Sequence, residues 1–334
     1  MMRDQQHRSL SIKKVLAIAV MGSMALLAAL VNLACNTSAP SSPGFQSPVQ
    51  TISANNPTLT FTATFTNTAT PTATSTSTPY QKAALWTGFN SPSAIAVDGT
   101  GNVYVADTAN NLVKKYLPNG LLDASWGNGG LKGKIAYTDP VAVAVDSNNN
   151  LYVAGNGVSI AKFDAFGSPS NANFAASVTN GTSAYTGLAV GPSNYLYISD
   201  AGNQKVFELS SAGVSLNGFT SGASMRGLGL DSAGDVFVAV GNTVVEYSSG
   251  IPVLTIPGFL NPTGLWLDSA NNLWVADTGN KQIEEFTVGH YSNLPLVIFN
   301  NGGQLVSPKG VAVDLNGNIY VADSGANDVA PFAP

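Results

Sequence analysis

Aspartate recurs at one fixed place in this sequence. Four short apolar segments, each with Tyr or Trp as second residue, end in an aspartate: Asp107, Asp200, Asp277 and Asp323. An aspartate that begins a turn accepts backbone N–H groups, whereas a catalytic carboxylate is normally required once in a site. The repetition therefore predicts a structural role for these four residues, which we call the rim aspartates.

A second aspartate series precedes loops such as Asp98-Gly-Thr-Gly-Asn102, which faintly resemble calcium loops. Calcium takes about six to eight oxygen ligands, but these loops offer one carboxylate each, or two in 231–235. Turn capping is therefore the favoured interpretation, and calcium is the alternative. We predict no other cofactor, because one Cys and two His do not supply a multi-Cys or His-cluster metal centre.

Three residues depart from the repeated pattern in a way that could serve a ligand. Arg226 and Lys309 stand where other segments have Pro-Ser-Ala or Pro-Thr-Gly, and Trp266 replaces a small residue. Two cations and an aromatic ring are a candidate ligand-binding set, and the cations would attract an anion. The alternatives are solvated surface charge for Arg226 and Lys309, and packing for Trp266.

No residue is assigned a catalytic role. His290 lies in a Gly-His-Tyr loop, and no Gly-x-Ser-x-Gly elbow or phosphate-binding loop occurs. The charge balance also argues against nucleic acid as a partner. From residue 80 onward, 10 Lys and Arg face 18 Asp and Glu, a net charge of −8, and such a surface repels phosphate.

The segments belong to a larger repeat. A turn residue that follows an apolar strand recurs at steps of 37 to 48 residues, as Asp98, Asp146, Gly191, Asp231, Asp268 and Asp314. Two further short strands follow each of these turns. Repeats of about 40–45 residues that contain several strands are typical of propeller blades, so the spacing predicts an all-β fold with six blades.

The repeat unit resembles the NHL repeat. The segments that carry the resemblance best are Pro262-Thr-Gly264, Asn280-Lys-Gln-Ile283 and Gly317-Asn-Ile-Tyr-Val-Ala-Asp323. The resemblance covers residues 83–332 and implies a six-bladed β-propeller over residues 80–334, with Arg226, Lys309 and Trp266 at the mouth of its central channel. The family's third-strand Arg is replaced in four units, by Leu112, Lys205, Gln282 and Asp328.

A closed ring needs a partner for the outer edge of the last blade, because an open edge strand invites aggregation. The last unit ends at Pro334 without a fourth strand, whereas an unassigned apolar stretch, 83–89, precedes the first unit. Its Gly-Phe end matches the ends of 214–219 and 252–259. We therefore predict that 83–89 is the closing strand of the last blade.

The N-terminal region has the features of an export signal or membrane anchor. Residues 1–34 combine a basic start with an apolar run, which predicts a signal peptide or an uncleaved membrane anchor. Cys35, at the end of this run, resembles the lipidated Cys of the lipobox in bacterial lipoproteins. An ordinary cleaved signal with an incidental Cys is a further alternative. Residues 35–79 are rich in Thr, Ser and Pro and contain no charge, which predicts a disordered tether.

Together these patterns predict an exported, membrane-tethered propeller of the cell envelope or outer surface that works as a binding, sensing or protein-interaction module. We expect a monomer that contacts the membrane through a lipid or anchor. An envelope protein or a polysaccharide is a possible partner, and nucleic acid is not expected. The alternative function is a propeller enzyme of the lyase or lactonase type with a site at the channel mouth.

Overall fold

A computed structural model describes residues 80–155, 159–222, 224–291, 295–300 and 302–334. The predicted signal or anchor segment 1–34, Cys35 and the tether 35–79 lie outside these residues. Across the described part, none of the helices has the length and apolar character needed to cross a membrane.

The described residues form six four-stranded antiparallel sheets, and the fold is the predicted all-β, six-bladed propeller. Blade 1 contains β2 Pro92–Val97, β3 Val103–Asp107, β4 Leu112–Tyr116 and β5 Lys134–Ala136. Blade 2 contains β6 Pro140–Val145, β7 Leu151–Gly155, β8 Ile160–Phe163 and β9 Pro169–Asn171. Blade 3 contains β10 Tyr185–Val190, β11 Leu196–Asp200, β12 Lys205–Leu209 and β13 Ser215–Thr220.

The second half of the ring repeats this order. Blade 4 contains β14 Met225–Leu230, β15 Val236–Val240, β16 Thr243–Ser248 and β17 Ile251–Ile256. Blade 5 contains β18 Pro262–Leu267, β19 Leu273–Asp277, β20 Gln282–Phe286 and β21 Val297–Phe299. Blade 6 contains β22 Pro308–Val313, β23 Ile319–Asp323 and β24 Asp328–Ala333, and its outer strand is β1, Gln81–Lys82. The described residues contain two short 3₁₀ helices, Thr108–Asn110 and Pro192–Asn194, and no α-helix.

The second strand of each blade is mostly apolar because both its faces and both its edges are covered. In β3 every residue from Val103 to Asp107 is completely buried. This strand pairs with β2 and β4 at its edges, and hydrophobic clusters lie on both of its faces. A strand buried on both faces shows a continuous apolar run rather than alternation, which explains why the Val-Tyr-Val-Ala pattern marks the blade centres.

Small residues near the start of the first strands set the distance between blades. A Cβ atom on Gly227 would lie 2.0 Å from the carbonyl oxygen of Thr263, and one on Gly264 would lie 2.5 Å from that of Lys309. A Cβ on Gly310 would contact the backbone of Ile95 at 3.1 Å. Glycine as the third strand residue is thus required at these three contacts, whereas blades 1 and 2 have Ala94 and Ala142 at the same place.

The start of the described chain closes the ring. Gln81 and Lys82 pair with Ala333 and Phe332 of β24, and Trp86 forms an isolated bridge with Val329 through two backbone hydrogen bonds of 3.0 Å. Regular pairing thus begins two residues before the predicted stretch 83–89, and the chain leaves the sheet after Trp86. Phe89, at 6% exposure, packs in the core instead.

Trp86 also carries aromatic contacts of the closure. Its ring stacks on Tyr116 of blade 1 at 4.5 Å and lies 5.6 Å from Tyr320 of blade 6. One side chain therefore joins the first blade to the last, in addition to its backbone bridge. The neighbouring Leu85 is 39% exposed and provides a matched control.

Buried charges differ between two equivalent places in the ring. In blade 1, Lys114 forms an ion pair of 2.6 Å with Asp107, donates to the carbonyl oxygen of Gly88 at 2.6 Å and lies 4.4 Å above the ring of Phe89. Lys114 pairs in register with Val105. In blade 5 the equivalent residue is Glu284, in register with Val275.

Glu284 faces Asp277 rather than a cation. Burial raises the pKa of Glu284 well above its usual value; the amide of Gln282, which donates to Glu284 at 2.7 Å, lowers it in part, and the Asp277 carboxylate raises it further. Burial and then Asp268 raise the pKa of the adjacent Glu285 to about 7. The folded state therefore holds protons that the unfolded chain releases. This stabilises the fold fully below the unfolded pKa of about 4.5, and the contribution is lost as the pH rises through about 7.

Trp86→Ala should lower the melting temperature by roughly 5–10 °C, because it removes a partly buried ring that joins two blades. Leu85→Ala, one residue earlier and exposed, should shift it by less than about 2 °C. Differential scanning calorimetry of both variants measures the difference. Equal shifts would contradict the closing role of Trp86.

Glu284→Lys should raise the melting temperature at pH 8. The new ammonium group would be placed against Asp277, the Gly258 carbonyl and the Phe259 ring, as Lys114 is placed in blade 1. It should also flatten the rise in stability between pH 8 and pH 5, because the proton on Glu284 is no longer involved. Glu284→Gln is the control, since it should flatten the pH dependence without adding the ion pair. Thermal melts across this pH range test both points, and a lower melting temperature for Glu284→Lys at pH 8 would contradict the account.

Candidate functional site

The first strands of all six blades line a cavity of about 330 Å³ at one mouth of the central channel. Arg226 from β14 and Lys309 from β22 both line this cavity. Each is the second residue of its strand and partly buried. We call this end of the channel the basic mouth.

Trp266 lies elsewhere in the channel, and the structure separates the predicted set of three. It lines a second cavity of about 340 Å³ at the opposite end, beside Asp98, Asp231, Asp268 and Asp314, and an apolar cavity between the two ends. It does not line the basic mouth. Trp266 packs against the core between blades 5 and 6, and also against the cores between blades 6 and 1 and between blades 1 and 2. Its indole therefore reaches across the channel axis, and its buried Nε1 has no hydrogen-bond partner.

Hydroxyl groups of alternate blades hold the backbone of the basic mouth. Thr186 and Ser199 of blade 3 both donate to the carbonyl oxygen of Arg226, at 2.9 and 2.7 Å. Thr263 of blade 5 donates to the carbonyl oxygen of Lys309 at 2.8 Å. Each cationic residue is thus fixed by the preceding blade through its backbone, and its side chain is not needed for that contact.

Blade 1 does the same for blade 2. Ser93 and Thr108 donate to the carbonyl oxygen of Pro140, at 3.2 and 2.8 Å. The residue after this proline is Val141, which occupies the place of Arg226 and Lys309 in the other even-numbered blades and also lines the basic mouth. We call these three inter-blade contacts the hydroxyl staples. Sequence reasoning missed them, although Ser or Thr at the second strand residue of every odd-numbered blade was a visible signal.

Both cations of the basic mouth lack a counter-ion among the described residues. The three ion pairs of that part of the chain involve Lys114, Lys115 and Lys162. One guanidinium nitrogen of Arg226 donates to the carbonyl oxygen of Gly241 at 2.9 Å, which orients the group. The ammonium group of Lys309 has no hydrogen bond or ion pair within the described residues. Because a guanidinium group carries five N–H donors, Arg226 keeps donors for an anion.

The rim aspartates lie where second strands end, and all are buried. Asp107 accepts from the backbone N–H of Asn90 at 2.7 Å, and Asp277 from that of Leu260 at 2.8 Å. Asp200 and Asp323 do the same with the segments before their own first strands. Each carboxylate therefore ties an inter-blade loop to its blade.

The other aspartate series caps the turns between first and second strands. Asp98 accepts from the backbone N–H groups of Thr100 and Asn102 at 2.9 and 3.0 Å, and from the Tyr104 hydroxyl at 3.2 Å. Burial alone would raise the pKa of Asp98, but the donors from Asn102 and Thr100 outweigh it and lower the pKa below its usual value. Asp146, Asp268 and Asp314 make equivalent contacts.

Blade 3 has Gly191 at this place, and there the Tyr197 hydroxyl donates to Glu208 at 2.8 Å instead. Among the residues that the structure describes, no group of three or more His, Cys, Asp and Glu side chains is arranged to hold a metal ion. His290 is exposed in the loop after β20, and its Nδ1 lies 3.3 Å from the carbonyl oxygen of Val288.

Comparison with known proteins agrees with this architecture. A model of the NHL repeat matches residues 89–116, and a model of the β-propeller repeat matches residues 298–322. No curated protein sequence matches the chain at a significant level.

Several solved propellers resemble the structure at low sequence identity. A gluconolactonase from Xanthomonas campestris, XC5397, is 14% identical, with a TM-score of 0.58, over 74% of this chain and 87% of its own. A catalytically inactive virginiamycin B lyase from Staphylococcus aureus, crystallised with quinupristin, is 14% identical, with a TM-score of 0.54, over 75% and 84%. The PQQ-bound aldose sugar dehydrogenase from Streptomyces coelicolor is 14% identical, with a TM-score of 0.55, over 76% and 97%. These similarities concern the fold alone. Repeat matches and sheet topology together identify the chain as a six-bladed β-propeller that contains an NHL repeat and a β-propeller repeat.

Proposed function

We propose that this protein is a binding or sensing module, displayed outside the cytoplasm on a membrane tether, and that its ligand site is the basic mouth. One observation carries the choice of site: two cations without counter-ions, Arg226 and Lys309, line one cavity that all six blades surround. Both are fixed through their backbone by hydroxyl staples. A prearranged cationic cavity in a chain of net negative charge attracts an anion and discriminates against cations.

The lining of the basic mouth favours binding over the lyase or lactonase alternative. Its polar side chains are the two cations and the hydroxyls of Ser93, Tyr185, Thr186 and Thr263. The Ser and Thr hydroxyls are committed to the staples, and Tyr185 bonds with Thr179. General acid–base catalysis needs a titratable group within hydrogen-bond reach of the substrate. No described carboxylate or imidazole lines this cavity, and its titratable side chains are Lys309 and Tyr185, whose hydroxyl is engaged with Thr179.

The proposal includes a location in the cell envelope. Under this proposal the basic, apolar segment 1–34 directs export, Cys35 receives a lipid, and residues 35–79 separate the propeller from the membrane. Stable membrane attachment then comes from the lipid or from an uncleaved anchor. An envelope protein or a polysaccharide is the macromolecular partner that such a location allows.

Cys35→Ala should abolish lipidation. The wild-type N-terminal peptide should begin at Cys35 and carry the mass of a diacylglyceryl group, whereas the variant should lack that mass and be lost from the membrane fraction. Mass spectrometry of the N-terminal peptide and fractionation of expressing cells test this. A wild-type N-terminal peptide without the diacylglyceryl mass would contradict the lipid anchor, and a wild-type chain that retains residues 1–34 would favour the uncleaved-anchor alternative.

The double variant Arg226→Gln/Lys309→Gln should retain at least tenfold less anionic small molecule through purification than the wild-type full chain does. The reason is that two charge-assisted contacts are removed. The control is Lys205→Gln/Lys281→Gln, which removes two exposed cations and should retain the wild-type amount. Heat release followed by mass spectrometry measures the retained molecules. Equal retention by both double variants would overturn the site. Conversion of the recovered molecule on reincubation with the wild-type protein would favour the enzyme alternative.

A further inference from the structure

The second residue of each first strand alternates in role around the ring. In blades 1, 3 and 5 it is Ser93, Thr186 or Thr263, whose hydroxyl donates to a backbone carbonyl of the next blade. In blades 2, 4 and 6 it is Val141, Arg226 or Lys309. The carbonyl oxygens of Arg226 and Lys309 accept the staples in blades 4 and 6, and those of Pro140 and Val141 accept them in blade 2. Their side chains are therefore free of the staples, and all three line the basic mouth.

The basic mouth consequently has two unlike sides. Blades 4 and 6 contribute the cations. The opposite half of the ring contributes Val141, which is partly buried, and Ile95, Val143 and Leu188, whose side chains pack in the cores between blades. In this half the hydroxyls of Ser93 and Thr186 are committed to the staples, and the Tyr185 hydroxyl bonds with Thr179. Val141 is left as a partly buried apolar side chain that a ligand can contact.

The charge of the site suits one negative group. Arg226 can present a planar pair of N–H donors, which matches a carboxylate, and Lys309 adds a compact positive charge. The rim aspartates Asp200, Asp277 and Asp323 end the second strands of blades 3, 5 and 6, at the end of the blades where the basic mouth lies, whereas blade 4 has Val240 at this place. These buried carboxylates reduce the positive potential that a second anionic group would meet.

We propose that the basic mouth binds an amphipathic monocarboxylate, with the carboxylate between Arg226 and Lys309 and the apolar body against Val141. This inference rests on the proposed function, since it names the ligand class of the same site. A cavity of about 330 Å³ lies at the small end of ligand pockets, which suits a short-chain or single-ring acid.

The test is calorimetric titration of the full chain in lipid nanodiscs, with empty nanodiscs as the blank. The probes are acetate, butanoate and hexanoate, with hexanamide as the uncharged match and succinate and inorganic phosphate as multiply charged anions. Affinity should rise by about two- to fourfold for each added methylene group. Hexanamide, succinate and phosphate should each bind at least tenfold more weakly than hexanoate.

Variants separate the two halves of the site. Arg226→Gln and Lys309→Gln should each weaken hexanoate binding about tenfold or more, whereas Lys281→Gln should leave it unchanged. Val141→Ser should remove most of the chain-length dependence and leave acetate binding unaltered. Arg226→Lys provides a second variant that keeps the charge, and it should weaken binding less than Arg226→Gln does.

Equal affinity for hexanoate and hexanamide, affinity independent of chain length, or tighter binding of succinate or phosphate would overturn the monocarboxylate class. If hexanoate fails to bind while the wild-type chain still retains an anion that Arg226→Gln/Lys309→Gln loses, only the ligand class is wrong. If both experiments fail, the basic mouth is not the binding site.

Discussion

The close contact between neighbouring first strands is the constraint from which the rest of the ring follows. At Gly227 and Gly264 a single added carbon would lie 2.0 and 2.5 Å from the backbone of the next blade. Real carbon atoms do not approach oxygen so closely, so these strands pack at the shortest distance that a backbone allows. The small spacing brings the second residues of six strands together around one cavity, which is why single substitutions on separate blades can form one site.

Such a ring is stable only if it closes. Each first strand packs between two neighbours, so a missing contact would expose the apolar faces of both end blades. Two contacts prevent this. Gln81–Lys82 forms the outer strand of the last blade, and Trp86 packs between Tyr116 and Tyr320. The first and last blades are therefore joined by backbone pairing and by ring stacking, two interactions that act on different atoms.

Much of the fold could be predicted from turn chemistry, because Asp98 and its equivalents make local contacts that depend on residues two and four positions later. The predicted closing strand 83–89 begins two residues after the observed pairing at Gln81–Lys82. The Gly-Phe pair does not mark one fixed place, because Phe259 lies beyond the end of β17 at Ile256 whereas Phe219 lies within β13. Trp266 shares with Arg226 and Lys309 a departure from the repeated pattern, but not a position along the strand. It stands three residues further along its strand than the staple residue Thr263, a distance of about 10 Å. The contrast between Lys114 and Glu284 could not be predicted, because it depends on register across strands that the sequence does not encode locally.

The alternation of roles around the basic mouth separates stability from recognition. Odd-numbered blades supply hydroxyls, and the carbonyls of even-numbered blades receive them. A backbone carbonyl is the same whatever side chain follows it, so the staples hold equally well on Pro140-Val141, on Arg226 and on Lys309. The side chains of Val141, Arg226 and Lys309, in the even-numbered blades, therefore take no part in the staples. The ring can present two cations and one apolar group there, or another combination, without a change in the contacts that keep the blades together.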